Sequence, residues 1–118
     1  MRDHTKLRAF KLADELALLV YKVTARFPRE ELYGLTTQMR RAAVSVPSNI
    51  VEGCARDSQA DYLRFLYIAF GSLRELHYQI RLSKRLGFVL NNDASLIEPT
   101  MIEAEKVLNG LIQSLRVD

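Results

Sequence analysis

The segment from Tyr33 to Arg56, YGLTTQMRRAAVSVPSNIVEGCAR, constrains the fold most, because it carries two stripes at helical spacing. Leu35, Met39, Ala42, Val46, Ile50 and Gly53 recur every three or four residues and form an apolar seam. Gln38, Arg41, Ser45, Asn49, Glu52 and Arg56 recur in step beside it. A solvated helix face is usually Lys and Glu in no fixed order. An ordered line of amide, hydroxyl, carboxylate and guanidinium groups can instead hydrogen-bond a neighbour along its whole length. The pattern implies a helix with partners on two sides, and hence an assembly. Arg41, Ser45, Asn49 and Glu52 are expected to be mostly buried, holding helices or subunits together. Arg41 and Glu52 lie too far apart on one helix to pair, so each should find a partner elsewhere.

Pro47 falls inside this segment. It removes the bond to the Ala43 carbonyl and crowds the preceding turn, at about 3 kcal/mol in a free helix. The apolar seam keeps its phase across Pro47, so a single kinked helix from Leu35 to Cys54 is expected rather than two helices.

The rest of the chain reads as three further helices. The first runs from Lys6 to Phe27, with Leu12, Leu16, Leu19, Val20, Val23 and Phe27 as its core stripe and Lys11, Glu15, Lys22 and Arg26 opposite. Leu7, Leu18 and Ala25 fall in or beside the charged face and form a candidate contact strip. Pro28 ends this helix. Ser58-Gln59-Ala60-Asp61 resembles a capping box and should open the third helix, which Gly87 closes. Its seam is Tyr62, Leu66, Ala69, Leu73, Leu76 and Ile80. Gly71 and Ser72 lie mid-helix, where a close neighbour is expected to exclude bulk. The fourth helix is expected from Asn92 as N-cap to Leu115, with Leu96, Met101 or Ile102, Leu108, Leu111, Ile112 and Leu115 as its apolar face. Pro99 either kinks it or is the first residue of a shorter helix. No segment alternates as a strand does. Four helices with short connections imply antiparallel neighbours, an all-α up-and-down four-helix bundle occupying residues 1–118 as one domain.

Composition narrows function. The 118 residues are 48% hydrophobic and 26% charged, values of a soluble globular domain. The formal net charge is +3, unevenly spread: residues 1–90 hold 15 Lys and Arg against 9 Asp and Glu, residues 91–118 hold 2 against 5. A basic body with an acidic last helix permits a polyanionic partner. Cys54 is the only cysteine, which excludes an intrachain disulfide and reads as a small buried residue at a helix end. A cytoplasmic protein without a membrane span is expected.

Catalysis finds no support. Di-iron bundles need Glu-x-x-His pairs on two helices, and neither His4 nor His77 has Glu three residues before it. His77 reads as a packed or hydrogen-bonded structural residue. There is no P-loop, no G-x-G-x-x-G and no G-x-S-x-G. No metal or cofactor is expected. One more stripe stands out on the third helix: Tyr67, Arg74, Tyr78, Arg81 and Arg85 fall within about 60° of one another at 100° per residue. Guanidinium groups pair with phosphates while rings stack on bases. The same residue types also suit a subunit contact or a solvated face.

The motif Gln38-x-Arg40-Arg41-Ala42-x-x-Ser45-x-Pro47-x-Asn49-x-x-Glu52-Gly53, with YLRFLYIAFGSLRELHYQIRL and the late LNGLIQSL, resembles the bacterial four-helix bundle protein family. Its members include proteins encoded in intervening sequences of 23S ribosomal RNA, and a relative is the accessory variability protein of diversity-generating retroelements. The resemblance spans about Leu7 to Leu115. Thr37, Val51 and Cys54-Ala55 depart from the usual residues and bear on the corner between the second and third helices. The resemblance implies a subunit of a barrel-shaped homopentamer with no established enzymatic activity. The retroelement relative binds nucleic acid and a reverse transcriptase through a basic surface.

The resulting expectation is a non-enzymatic homopentamer that binds nucleic acid, RNA foremost. Arg74, Arg81, Arg85, Tyr67 and Tyr78 are the contact residues, with Arg40 and Arg56 as lesser ones. Gln38, Arg41, Ser45, Pro47, Asn49, Glu52, Gly53, Leu7 and Leu18 are the structural or subunit-contact residues. The alternative is a scaffold that contacts another protein and no nucleic acid. A remoter one is a small-molecule or enzymatic function in a central pore.

Overall fold

A computed structural model of the chain describes residues 2–116. Four helices account for most of them: α1 Arg8–Thr24, α2 Thr37–Cys54, α3 Gln59–Arg85 and α4 Asn91–Leu115. Each packs on its chain neighbours, and α4 closes the ring against α1. At 1.5 Å per residue the long helices span about 40 Å, which matches a molecule of 44 × 24 × 24 Å. The architecture is the expected four-helix bundle.

The boundaries follow local chemistry. α1 starts later than expected, because residues His4–Lys6 form a separate 3₁₀ turn capped by Asp3, and Leu7 is extended at the N-cap. Leu7 therefore packs against the core instead of joining a surface strip, whereas Leu18 is 60% exposed. Before α2, Leu32–Thr36 make a wide turn with Gly34 outside helical geometry, and the Glu31 carboxylate accepts from the Leu35 amide. α2 then runs through Pro47 as one helix.

α3 opens with the Ser58 hydroxyl accepting from the Asp61 amide at 3.1 Å. It ends in a reciprocal cap. Gly87, at φ 81, donates to the Lys84 carbonyl, and Phe88 donates to the Ser83 carbonyl. This turn delivers Phe88 against Phe27, ring centroids 5.6 Å apart. α4 begins at Asn91, with Leu90 and not Asn92 at the N-cap, and continues through Pro99 unbroken.

The core holds Leu16, Val20, Met39, Ile50, Leu66 and Leu73 among others, each fully enclosed. In α4 the buried register is Ile97, Met101, Ala104, Leu108 and Ile112. Leu96 and Ile102, both named as apolar-face residues, are 61% and 51% exposed. Buried alanines at 9, 13, 43, 94 and 104 complete the core.

The mid-helix glycine behaves differently from the expectation. A Cβ on Gly71 would meet nothing within 4 Å, and the residue is exposed. Close approach is instead made one residue on, where the Ser72 and Ser45 hydroxyls lie 2.8 Å apart between α3 and α2. Gly71→Ala is therefore expected to stabilise the isolated bundle by about 0.5–1 kcal/mol through helix propensity. Urea denaturation checks this, and a destabilised variant would refute the open environment.

Candidate nucleic-acid interface

The polar stripe of α2 divides into two halves. Ser45 and Asn49 are half-buried: Ser45 meets Ser72, and the Asn49 amide donates to the Ser45 carbonyl at 2.8 Å and hydroxyl at 3.0 Å, bracing the turn that contains Pro47. Gln38, Arg41, Glu52 and Arg56 are exposed on the single chain. The burial expected of Arg41 and Glu52 is thus not achieved within one subunit. Glu52 pairs along its own helix with Arg56 at 2.9 Å. Arg41 has no carboxylate within 4.0 Å among the described residues and edges two grooves, one toward Tyr21 and Val44, one toward Ser72 and Glu75.

Two arginines assigned a lesser role in nucleic-acid contact are engaged by other residues of the same chain. Arg40 Nε donates to the Thr24 hydroxyl at 2.9 Å, and its guanidinium lies 4.6 Å from the Tyr21 ring. It fastens α2 to α1. Arg56 lies over the Phe65 ring at 4.8 Å, and its carbonyl accepts from Arg2. It closes the corner between α2 and α3.

On α3 the stripe points outward. Tyr67 is 48% and Tyr78 63% exposed, and Arg74, Arg81 and Arg85 are exposed as well. The acidic last helix decides which of these arginines are free. Arg74 pairs with Glu105 at 2.6 Å, and His77 Nδ1 lies 3.0 Å from both Glu105 oxygens. Lys84 pairs with Glu98 at 2.8 Å, Arg8 with Glu103 at 2.9 Å, and Arg26 with the buried Asp93 at 3.1 Å. Arg81 and Arg85 have no acidic partner within 4.0 Å among the described residues. They are one helical turn apart, about 6 Å along the axis.

Between α3 and α4 the same arginines border a groove of about 400 Å³. Its floor is Ile80 and Met101, Ile102 flanks it, and the Lys84–Glu98 pair lines it. A second hollow of about 290 Å³, lined by Arg74, His77, Tyr78 and Arg81, adjoins it. Sequence reasoning found the stripe and missed the groove, whose floor needs the register of α4. Its available signal was the acid-rich final helix set against a basic body.

Elsewhere the chemistry is sparse. Burial raises the Cys54 thiol pKa, and burial pushes the Tyr62 hydroxyl up to about 12. Among the described residues no group of three His, Cys, Asp or Glu is placed to hold a metal ion, and no helix is long and apolar enough to cross a membrane.

The family model described as 23S rRNA-intervening sequence protein matches residues 5–110. A protein of unknown function from the S23 ribosomal protein family of Bacteroides thetaiotaomicron, known from its crystal structure, has a TM-score of 0.80 to this chain. Its identity is 23%, and the match covers 89% of this chain and 95% of that one. At that identity the likeness is one of fold. No curated protein matches the chain.

Proposed function

The chain belongs to the 23S rRNA-intervening sequence protein family, and we propose that it is a non-enzymatic, cytoplasmic homo-oligomer that binds RNA through the outer face of α3. The observation that carries this reading is the state of the α3 arginines. Four acidic side chains of α4 are neutralised by pairing within the chain, while Arg81 and Arg85 stay exposed, with no acidic partner among the described residues, and Arg81 lies beside the exposed ring of Tyr78. Unpaired guanidinium groups next to rings suit phosphate contact with base stacking.

Assembly is the second part of the reading. Leu18, Tyr21, Val44 and Val51 are exposed apolar side chains on α1 and α2, and Arg41, without an acidic partner among the described residues, lines a groove with Tyr21 and Val44. A second copy covering this side gives Gln38, Arg41 and Glu52 the neighbours one chain lacks. The family resemblance sets five copies as the expected number. Two or three arginines per chain bind weakly, and a ring repeats them, raising avidity by roughly 10²–10⁴.

Light scattering at micromolar concentration should give a mass near five subunits, and a monomer over a wide concentration range would refute assembly. Mixed-sequence RNA should bind at about 50 mM salt and weaken steeply as salt rises, through counterion release. Charge reversal at Arg81 and Arg85 together should weaken binding at least tenfold at unchanged oligomer mass. Failure of the parent oligomer to bind RNA or DNA would leave the protein-scaffold alternative.

A further inference from the structure

We infer that the nucleic acid taken up by α3 is single-stranded and that it enters the groove between α3 and α4 base first. The inference rests on the reading of α3 as a nucleic-acid face, and adds to it which form of nucleic acid is bound and how.

The groove joins an apolar interior to a cationic edge. Ile80 and Met101, both nearly inaccessible, form its floor, and Ile102 flanks it at 51% exposure. The Lys84–Glu98 pair cancels its own charge, so the net positive edge belongs to Arg81 and Arg85. The volume, about 400 Å³, lies near the lower end of small-ligand sites, roughly 300–1,000 Å³. One nucleobase with its sugar fits such a space; a base pair within a helix does not enter it.

The adjoining hollow extends the argument. It shares His77 and Arg81 with the groove and includes Tyr78, 63% exposed. Arg81 therefore stands between two neighbouring depressions, one bordered by a ring and one floored by aliphatic side chains. A phosphate on Arg81 would join two consecutive nucleotides, one base against Tyr78 and the next against Ile102. Arg85, one turn further, meets the following phosphate. In a duplex the bases are stacked inside, and the A-form major groove is too deep and narrow for side chains to read. A duplex could use only the arginines of this face. A single strand uses the arginines, the ring and the groove together, the combination by which stacking platforms hold unpaired strands.

The test compares three ligands of about twelve nucleotides on the intact oligomer by fluorescence anisotropy at low salt. They are a single-stranded RNA, the same RNA as a duplex, and a strand of equal length with abasic sugars throughout. The single strand is expected to bind at least tenfold tighter than the other two. Ile102→Asp, at an exposed position, is expected to remove most of that preference while helicity and oligomer mass stay unchanged. If duplex or abasic strand binds as tightly as the single strand, base entry is wrong and the α3 nucleic-acid face survives. If none of the three binds, both readings fall.

Discussion

Gly53→Val is expected to lower the stability of the bundle by about 3 kcal/mol or more. Gly53 lies near the end of α2, where α2 and α3 converge on a short connection. A Cβ there would sit 2.9 Å from Phe65 Cβ, 3.2 Å from Tyr62 Cδ1 and 3.3 Å from the Tyr62 carbonyl oxygen. Phe65 Cβ and the Tyr62 carbonyl are fixed to α3 itself, so relief requires the two helices to part. Two effects compete in Gly53→Ala. Helix propensity gains about 1 kcal/mol, and overpacking costs about 1–3 kcal/mol. The contact under 3 Å involves an atom that cannot swing away, so overpacking wins and the alanine variant should be mildly destabilised. Valine adds two methyl groups beyond the first clash. Against a total stability of about 5–15 kcal/mol, its loss should move the thermal midpoint down by about 10 °C or more. A valine variant that melts like the parent would show that the corner is looser than described.

The contrast between Gly53 and Gly71 shows what the sequence can and cannot disclose. Both are glycines inside helices, and propensity alone treats them alike. Gly53 falls in the apolar seam of α2, so its burial was legible. Gly71 falls beside Tyr67, Ile68 and Arg74 on the outer face of α3, and among the described residues nothing lies within 4 Å of a Cβ placed there. Helical periodicity gives the angle of a residue around its own axis. It does not give the distance to the next axis, which depends on the side chains of both partners.

The same limit explains α4. Apolar residues at 96, 97, 101 and 102 offer two registers one residue apart, and both satisfy the helical period. Packing against α1 and α3 selects Ile97 and Met101. That choice turns Ile102 toward the groove beside Arg81 and Arg85, so the candidate site could not be assembled from the sequence even though both arginines were named. Charge was more legible. The excess of acid after residue 90 was visible from counting, and four of those carboxylates now pair with Arg26, Lys84, Arg8 and Arg74. What counting could not show is which α3 arginines pair: Arg74 meets Glu105, while Arg81 and Arg85 have no acidic partner among the described residues.

The bundle is expected to lose about 2–3 kcal/mol of stability between pH 10 and pH 12 through Tyr62. Tyr62 is 2% exposed, and its hydroxyl is pushed up to about 12, chiefly by burial and then by the neighbouring Cys54. The ordinary tyrosine value is about 10. Below that pH the folded and unfolded chains both keep the proton, so the contribution is fully present. Above it the unfolded chain releases the proton while the folded chain still holds it. Unfolding then gains about 1.4 kcal/mol per pH unit until the folded hydroxyl also ionises. The buried Cys54 thiol is raised for the same reason and steepens the fall in the same direction. Urea denaturation at intervals from pH 9 to pH 12 measures the slope for the parent and for Tyr62→Phe. The phenylalanine variant should lose the Tyr62 part of the fall and keep that of Cys54. Equal slopes would mean that Tyr62 ionises as freely in the bundle as in the unfolded chain, and that water reaches the corner where α2 meets α3.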